Sequence, residues 1–146
     1  MYKLITALAL VTLVFTACKK KTEVSTTPVI EFKGVNKYQI KEYTDSLQIT
    51  ISYTDSDGDI GENDPNKKNI FLTDTRTNTV LEYRVKEIVP NKQTVSITGT
   101  INVVIDKIYI NNTAASTEVV SYKVQLIDRA GNKSNEVQTG IVTLTK

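Results

Sequence analysis

The sequence predicts an all-β protein, folded as a single antiparallel β-sandwich of about seven strands, on three observations. Apolar residues recur at every second position over most of the chain. Thr, Val, Ile and Tyr, which favour strands, are abundant, and Asn-, Asp-, Gly- and Pro-rich turn signals separate the alternating runs. No segment past residue 28 carries an apolar stripe of period 3.6, so little helix is expected.

In chain order, Val29 to Phe32 is the first short candidate strand. Leu47, Ile49, Ile51 and Tyr53 alternate with Gln48, Thr50 and Ser52, which sets one face on a core and the other in water. Ile70 to Thr73 and Val80 to Ile88 follow. Val95, Ile97, Gly99, Ile101, Val103 and Ile105 make the longest run, with Gly99 expected to mark a bulge or bend. Val120, Tyr122, Val124 and Leu126 alternate again, and Val142 and Leu144 close the set. Turns are expected at Asp57-Gly58, Asp64-Pro65-Asn66, Pro90-Asn91, Asn111-Asn112 and Ala130-Gly131-Asn132. Tyr53 and Tyr122 fall in phase with inward faces. Tyr38, Tyr43 and Tyr109 lie near turns and are expected to be exposed, where a ring can stack on a sugar or a partner.

Composition excludes more chemistry than it suggests. The 146 residues carry 18 Lys plus Arg against 16 Asp plus Glu, a balance that gives no bias toward nucleic acid. There is no His, no Trp and one Cys. Triads built on an imidazole base are therefore excluded, as are most zinc sites and any disulfide within one chain. A non-enzymatic protein is expected.

At the N-terminus, Lys3 precedes an apolar run from Leu4 to Phe15 that ends in Thr16 and Ala17, the pattern of a secretory signal. The run falls short of the roughly 20 apolar residues a spanning helix needs. Phe15-Thr16-Ala17-Cys18 resembles the bacterial lipobox, with Phe15 where Leu is usual. That resemblance implies a lipoprotein signal peptide over residues 1–17, lipidation of Cys18, and anchoring to a membrane through the acyl chains. Residues 18–28, with Lys19-Lys20-Lys21 and a Thr-rich stretch, read as a flexible tether, and 29–146 as the folded domain.

The acidic stretch from Tyr53 to Asp64, YTDSDGDIGEND, gathers Asp55, Asp57, Asp59, Glu62 and Asp64. Asp55, Asp57 and Asp59 have the one-three-five spacing with which calcium loops present oxygen ligands, and Gly58 allows a tight backbone path. An EF-hand is rejected, because Ile60 stands where its turn needs Gly and Asn66 where it needs a bidentate Glu. Three readings stay open: a looser calcium site using these five carboxylates, a turn in which they cap backbone amides, and a catalytic pair. Nothing in the spacing places two carboxyls across a cleft.

The segment from Val120 to Asn135, ending Asp128-Arg129-Ala130-Gly131-Asn132-Lys133-Ser134-Asn135, resembles the last hairpin of bacterial immunoglobulin-like domains. With YTDSDGDIG and the lipobox, the chain resembles the uncharacterised immunoglobulin-like lipoproteins of Bacteroidota. The resemblance implies an immunoglobulin-like β-sandwich on a lipid tether and implies no reaction. The expected function is a lipid-anchored envelope module that binds a protein partner. The alternative is a glycan-binding accessory protein of an outer-membrane polysaccharide-uptake system. Lys19 after Cys18 favours the outer membrane by resemblance to sorting rules, and the basic residues there favour its periplasmic face.

Overall fold

Alternation governs the central strand. From Leu47 to Asp55 every odd residue is buried, and all the even ones keep some exposure, which is the signature of a strand packed on one face. The structure, a computed structural model, describes residues 25–89 and 93–146. The expected signal peptide (1–17), Cys18 with its expected lipidation, most of the expected tether and the expected Pro90-Asn91 turn lie outside the described residues.

Ten strands and no helix occur among the described residues: β1 (Val29–Val35), β2 (Gln39–Lys41), β3 (Leu47–Asp55), β4 (Ile70–Asp74), β5 (Val80–Tyr83), β6 (Ile97–Ile105), β7 (Thr117–Val120), β8 (Tyr122–Leu126), β9 (Val137–Gln138) and β10 (Val142–Thr145). They form three sheets, ordered β1-β3-β6, β2-β10-β7 and β5-β4-β8-β9. The last two run into each other. Only Ser121 separates β7 from β8, and across that break Tyr122 N donates to Thr139 Oγ1 at 2.9 Å while Thr139 N donates to Tyr122 O at 2.9 Å.

One core lies between the sheets. Ile30, Leu47, Ile49, Ile51, Ile101, Val103 and Ile105 face it from β1-β3-β6. Ile40, Ile70, Leu72, Tyr122, Val124, Leu126, Val142 and Leu144 meet them from the other two sheets. Each fully buried aliphatic side chain contributes about 1.5–3 kcal/mol, so this shared interior is the main source of stability.

Several expectations are corrected. Ten strands replace seven, because the expected run from Val120 to Leu126 breaks at Ser121 and the short β2 and β9 carry no period. The pairing is not wholly antiparallel, since β2 runs parallel to β10. The strand expected from Val80 to Ile88 stops at Tyr83, because Val85 leaves β4 for other partners: its N–H donates to Asn69 Oδ1 at 2.7 Å and its carbonyl accepts from Glu62 N at 2.9 Å. The expected bulge at Gly99 is absent. Gly99 pairs in register with Tyr53, and a Cβ there would press on the Tyr53 ring, so this glycine is needed for space; the register shift lies in β1 between Phe32 and Gly34.

The polarity of β3 fixes which loops meet. One end of the molecule collects the loop after β3, the turn after β8 and the start of β1. The other end collects the turns before β3, after β4 and after β6. Nine residues of β3 hold these ends roughly 25–30 Å apart.

Candidate metal centre

Asp55 is the last inward position of β3, so the alternation that buries Leu47, Ile49, Ile51 and Tyr53 also buries a carboxylate, to 1% exposure. Its Oδ2 accepts from Asp59 N at 2.9 Å, which folds the following residues back over it. Gly58 turns that path at φ 73°, and a Cβ there would strike the Val95 carbonyl. Gly61 at φ 94° lies as close to the Lys86 carbonyl. Between them Ile60 drops into the core, fully buried. The loop is thus pinned from beneath by Ile60 and threaded through two places that only glycine fits.

The result is a carboxylate cluster. One oxygen each from Asp55, Asp57 and Asp59 lies within 4.8 Å of the others, and the group can hold a metal ion. Oδ1 of each is buried without a hydrogen-bond donor among the described residues. Buried polar atoms ordinarily have partners, and a buried carboxylate oxygen has the strongest claim on one. Burial, and then the facing Asp57 carboxylate, raise the pKa of Asp55 from 3.8 to about 6. Burial and then the negative charge of Asp128 push Asp59 up as well, opposed by the Ala130 amide that donates to its Oδ2 at 2.9 Å.

The turn after β8 forms the second wall. Asp128 caps it, accepting from Asn132 N at 2.7 Å and Asn132 Nδ2 at 2.8 Å, and Gly131 takes φ 91°. Arg129 N donates to Asp59 O at 3.2 Å, and its guanidinium contacts Glu87 at 3.3 Å and Gly61 O at 3.3 Å. Arg129 therefore ties three segments together. Ser134 accepts from Leu126 N at 2.9 Å, and Asn135 grips Ile30 at both backbone positions, at 2.9 and 2.8 Å, so the polar residues of this segment hold the fold.

Of the five carboxylates the sequence singles out, the structure brings together three. Glu62 accepts from the N–H groups of Asn63 and Asp64 at 3.0 and 3.2 Å and pairs with Lys67 at 3.2 Å. Asp64 accepts from Asn66 N at 2.9 Å. Both serve the turn, as the capping reading describes. An open cleft of about 470 Å³, lined among others by Asp57, Asp59, Glu62 and Thr94, leads from solvent to the cluster. Sequence reasoning missed a second polar centre, in which Arg76 binds Asp74 through two parallel contacts and reaches Glu118 at 3.1 Å. Glu118 lies more than forty residues from Arg76, so no local spacing marks that pair.

No family model, curated protein or solved structure matches this chain. What fold and site define by themselves is an all-β protein with a three-carboxylate group, of which Asp55 is buried and Asp57 and Asp59 half-buried, at one end of its core. Its donors are oxygens only, which suits a hard cation.

With divalent cations chelated, stability is expected to fall as pH rises from about 4 to about 6 on account of Asp55. The folded group keeps its proton up to about pH 6, whereas the unfolded one releases it near 3.8, so over that window the folded state holds more protons. This contribution is complete below the unfolded value and is lost on rising through the folded one. Urea unfolding of the chain and of Asp55→Asn across this range should show a stability difference that changes with pH; a constant difference would contradict the assignment.

Proposed function

We propose that this chain is a non-enzymatic binding module of the cell envelope, held to a membrane through lipidated Cys18 and stabilised by a calcium ion bound at Asp55, Asp57 and Asp59. The observation that carries the calcium reading is the convergence of the Asp55, Asp57 and Asp59 carboxylates, each of which also keeps a buried oxygen without a donor among the described residues. Calcium takes six to eight oxygens at about 2.3–2.6 Å, so ligands on opposite sides of it stand at most about 5 Å apart, and the 4.8 Å limit on this group fits. The remaining positions fall to water entering through the cleft. A bound cation would offset the mutual repulsion of the carboxylates and lower the pKa that burial has raised.

The immunoglobulin-like type is supported by strand order. Three strands, β1-β3-β6, face a layer in which β4, β8 and β9 are neighbours, the arrangement in which such domains set A, B and E against C, F and G. Binding, rather than catalysis, is supported by the lack of any imidazole and by the engagement of Glu62 and Asp64 in turn contacts. Anchoring rests on the lipobox-like Phe15-Thr16-Ala17-Cys18.

Thermal unfolding of the full chain in detergent tests the ion. At about 100 times the dissociation constant, calcium should add roughly 2.7 kcal/mol and raise Tm by on the order of ten degrees, with reversal by chelator. Asp57→Asn should remove most of that shift, and no shift at millimolar calcium would exclude the site. Anchoring has its own test in cells. Labelled fatty acid should enter the protein and be lost in Cys18→Ser, and labelling that persists in that variant would place the modification elsewhere.

A further inference from the structure

The end of the molecule opposite the carboxylate cluster carries a second built feature. Tyr43 and Tyr109 stack with ring centroids 5.9 Å apart and planes 7° from parallel. That separation exceeds the thickness of face-to-face contact, so the rings are offset and each leaves part of its face free. They remain 66% and 49% exposed.

Their positions are held firmly. Tyr43 adopts φ 57°, a left-handed conformation unfavourable for a bulky residue, and its N–H donates to Ile108 O at 3.0 Å. Arg76 Nη1 donates to Tyr109 O at 2.9 Å, and Ile110 N donates to Glu42 Oε2 at 3.0 Å. Asn112 N donates to Glu118 Oε2 at 3.0 Å. The segment bearing Tyr109 is therefore clamped on both sides, and the rings need little ordering when a ligand arrives.

Beside Tyr109 lies a cavity of about 110 Å³, lined among others by Arg76, Thr77, Thr79, Lys107 and Asn111. The guanidinium of Arg76 is already neutralised by Asp74 and Glu118. Of the other charges in the lining, Asp74 is taken up by that pair, and exposed Lys107, which pairs with no carboxylate among the described residues, adds a hydrogen-bond donor beside the hydroxyl and amide groups. What the site offers is a flat apolar face next to hydroxyl and amide groups, the complement of a neutral ligand with one apolar face and a polar edge.

We propose that Tyr43, Tyr109 and the adjoining cavity form a binding site for a chain of equatorially linked pyranose sugars. The C–H face of one ring lies on the tyrosines, and its hydroxyl edge meets Asn111 and the threonines. Such a ring is uncharged, flat and rimmed with hydroxyls. Because β1 begins at the opposite end, a tether leading into it would leave the tyrosine end directed away from the membrane.

Calorimetry tests the proposal with the full chain in a non-glycosidic detergent and two probes, cellohexaose and xylohexaose. Saturable binding of at least one probe is expected, weakened about ten-fold or more by Tyr43→Ala or Tyr109→Ala and left intact by Tyr38→Ala. Asn111→Ala, whose surface position spares the fold, should weaken binding without lowering Tm, and Tyr43→Phe should preserve it. Binding should also persist under calcium chelation below Tm, which separates this site from the carboxylate cluster. No heat from either probe at millimolar concentration would overturn the proposal, as would binding indifferent to both tyrosines, or a protein crosslinked at these rings while the sugars fail to bind.

Discussion

Burial of the Asp55 carboxylate at the end of β3 is the constraint around which this end of the molecule is organised. A strand packed on one face delivers every second side chain to the interior, and here the series Leu47, Ile49, Ile51, Tyr53 is extended by an acid. An isolated buried carboxylate is costly unless it is protonated, hydrogen-bonded or placed beside a cation. Each remedy is visible in part: the raised pKa, the Asp59 amide, and the two further carboxylates that make the site fit for an ion.

The surrounding loops follow from that demand. Gly58 and Gly61 let the chain double back over Asp55, while Ile60 anchors the return in the core. Segment 84–88 is drawn off the edge of β4 to close the loop, with Asn69 substituting for the missing ladder contacts. Arg129 then links the turn after β8 to the same loop. Calcium bound there would stiffen β3, β8 and the start of β6 together, at the end where β1 enters the fold, and leave the tyrosine end free to bind.

Much of the fold was legible in the sequence because period-two alternation is a local signal. The inward phase of Tyr53 and Tyr122 followed from it, and the exposure of Tyr38, Tyr43 and Tyr109 from their places near turns. What escaped depends on contacts made at a distance. β2 and β9 are strands only because β10 and β8 lie beside them. Gly99 reads as a bulge until the Tyr53 ring is placed across from it. At the site, the one-three-five spacing identified the three converging carboxylates, whereas proximity in sequence also drew in Glu62 and Asp64, whose oxygens are taken by nearby amides and Lys67. The phase of β3 already marked Asp55 as the buried member.

The most direct test of a calcium ion bound in exchange for the Asp55 proton is calorimetric titration in buffers of differing ionisation enthalpy. With the Asp55 pKa raised to about 6, the account predicts one calcium per chain and release of about half a proton per ion at pH 6, falling toward zero near pH 7.5. Asp55→Asn should reduce the proton release, leaving what Asp59 contributes, and weaken binding. Calcium binding without proton release at pH 6, or unaltered by that substitution, would contradict the account.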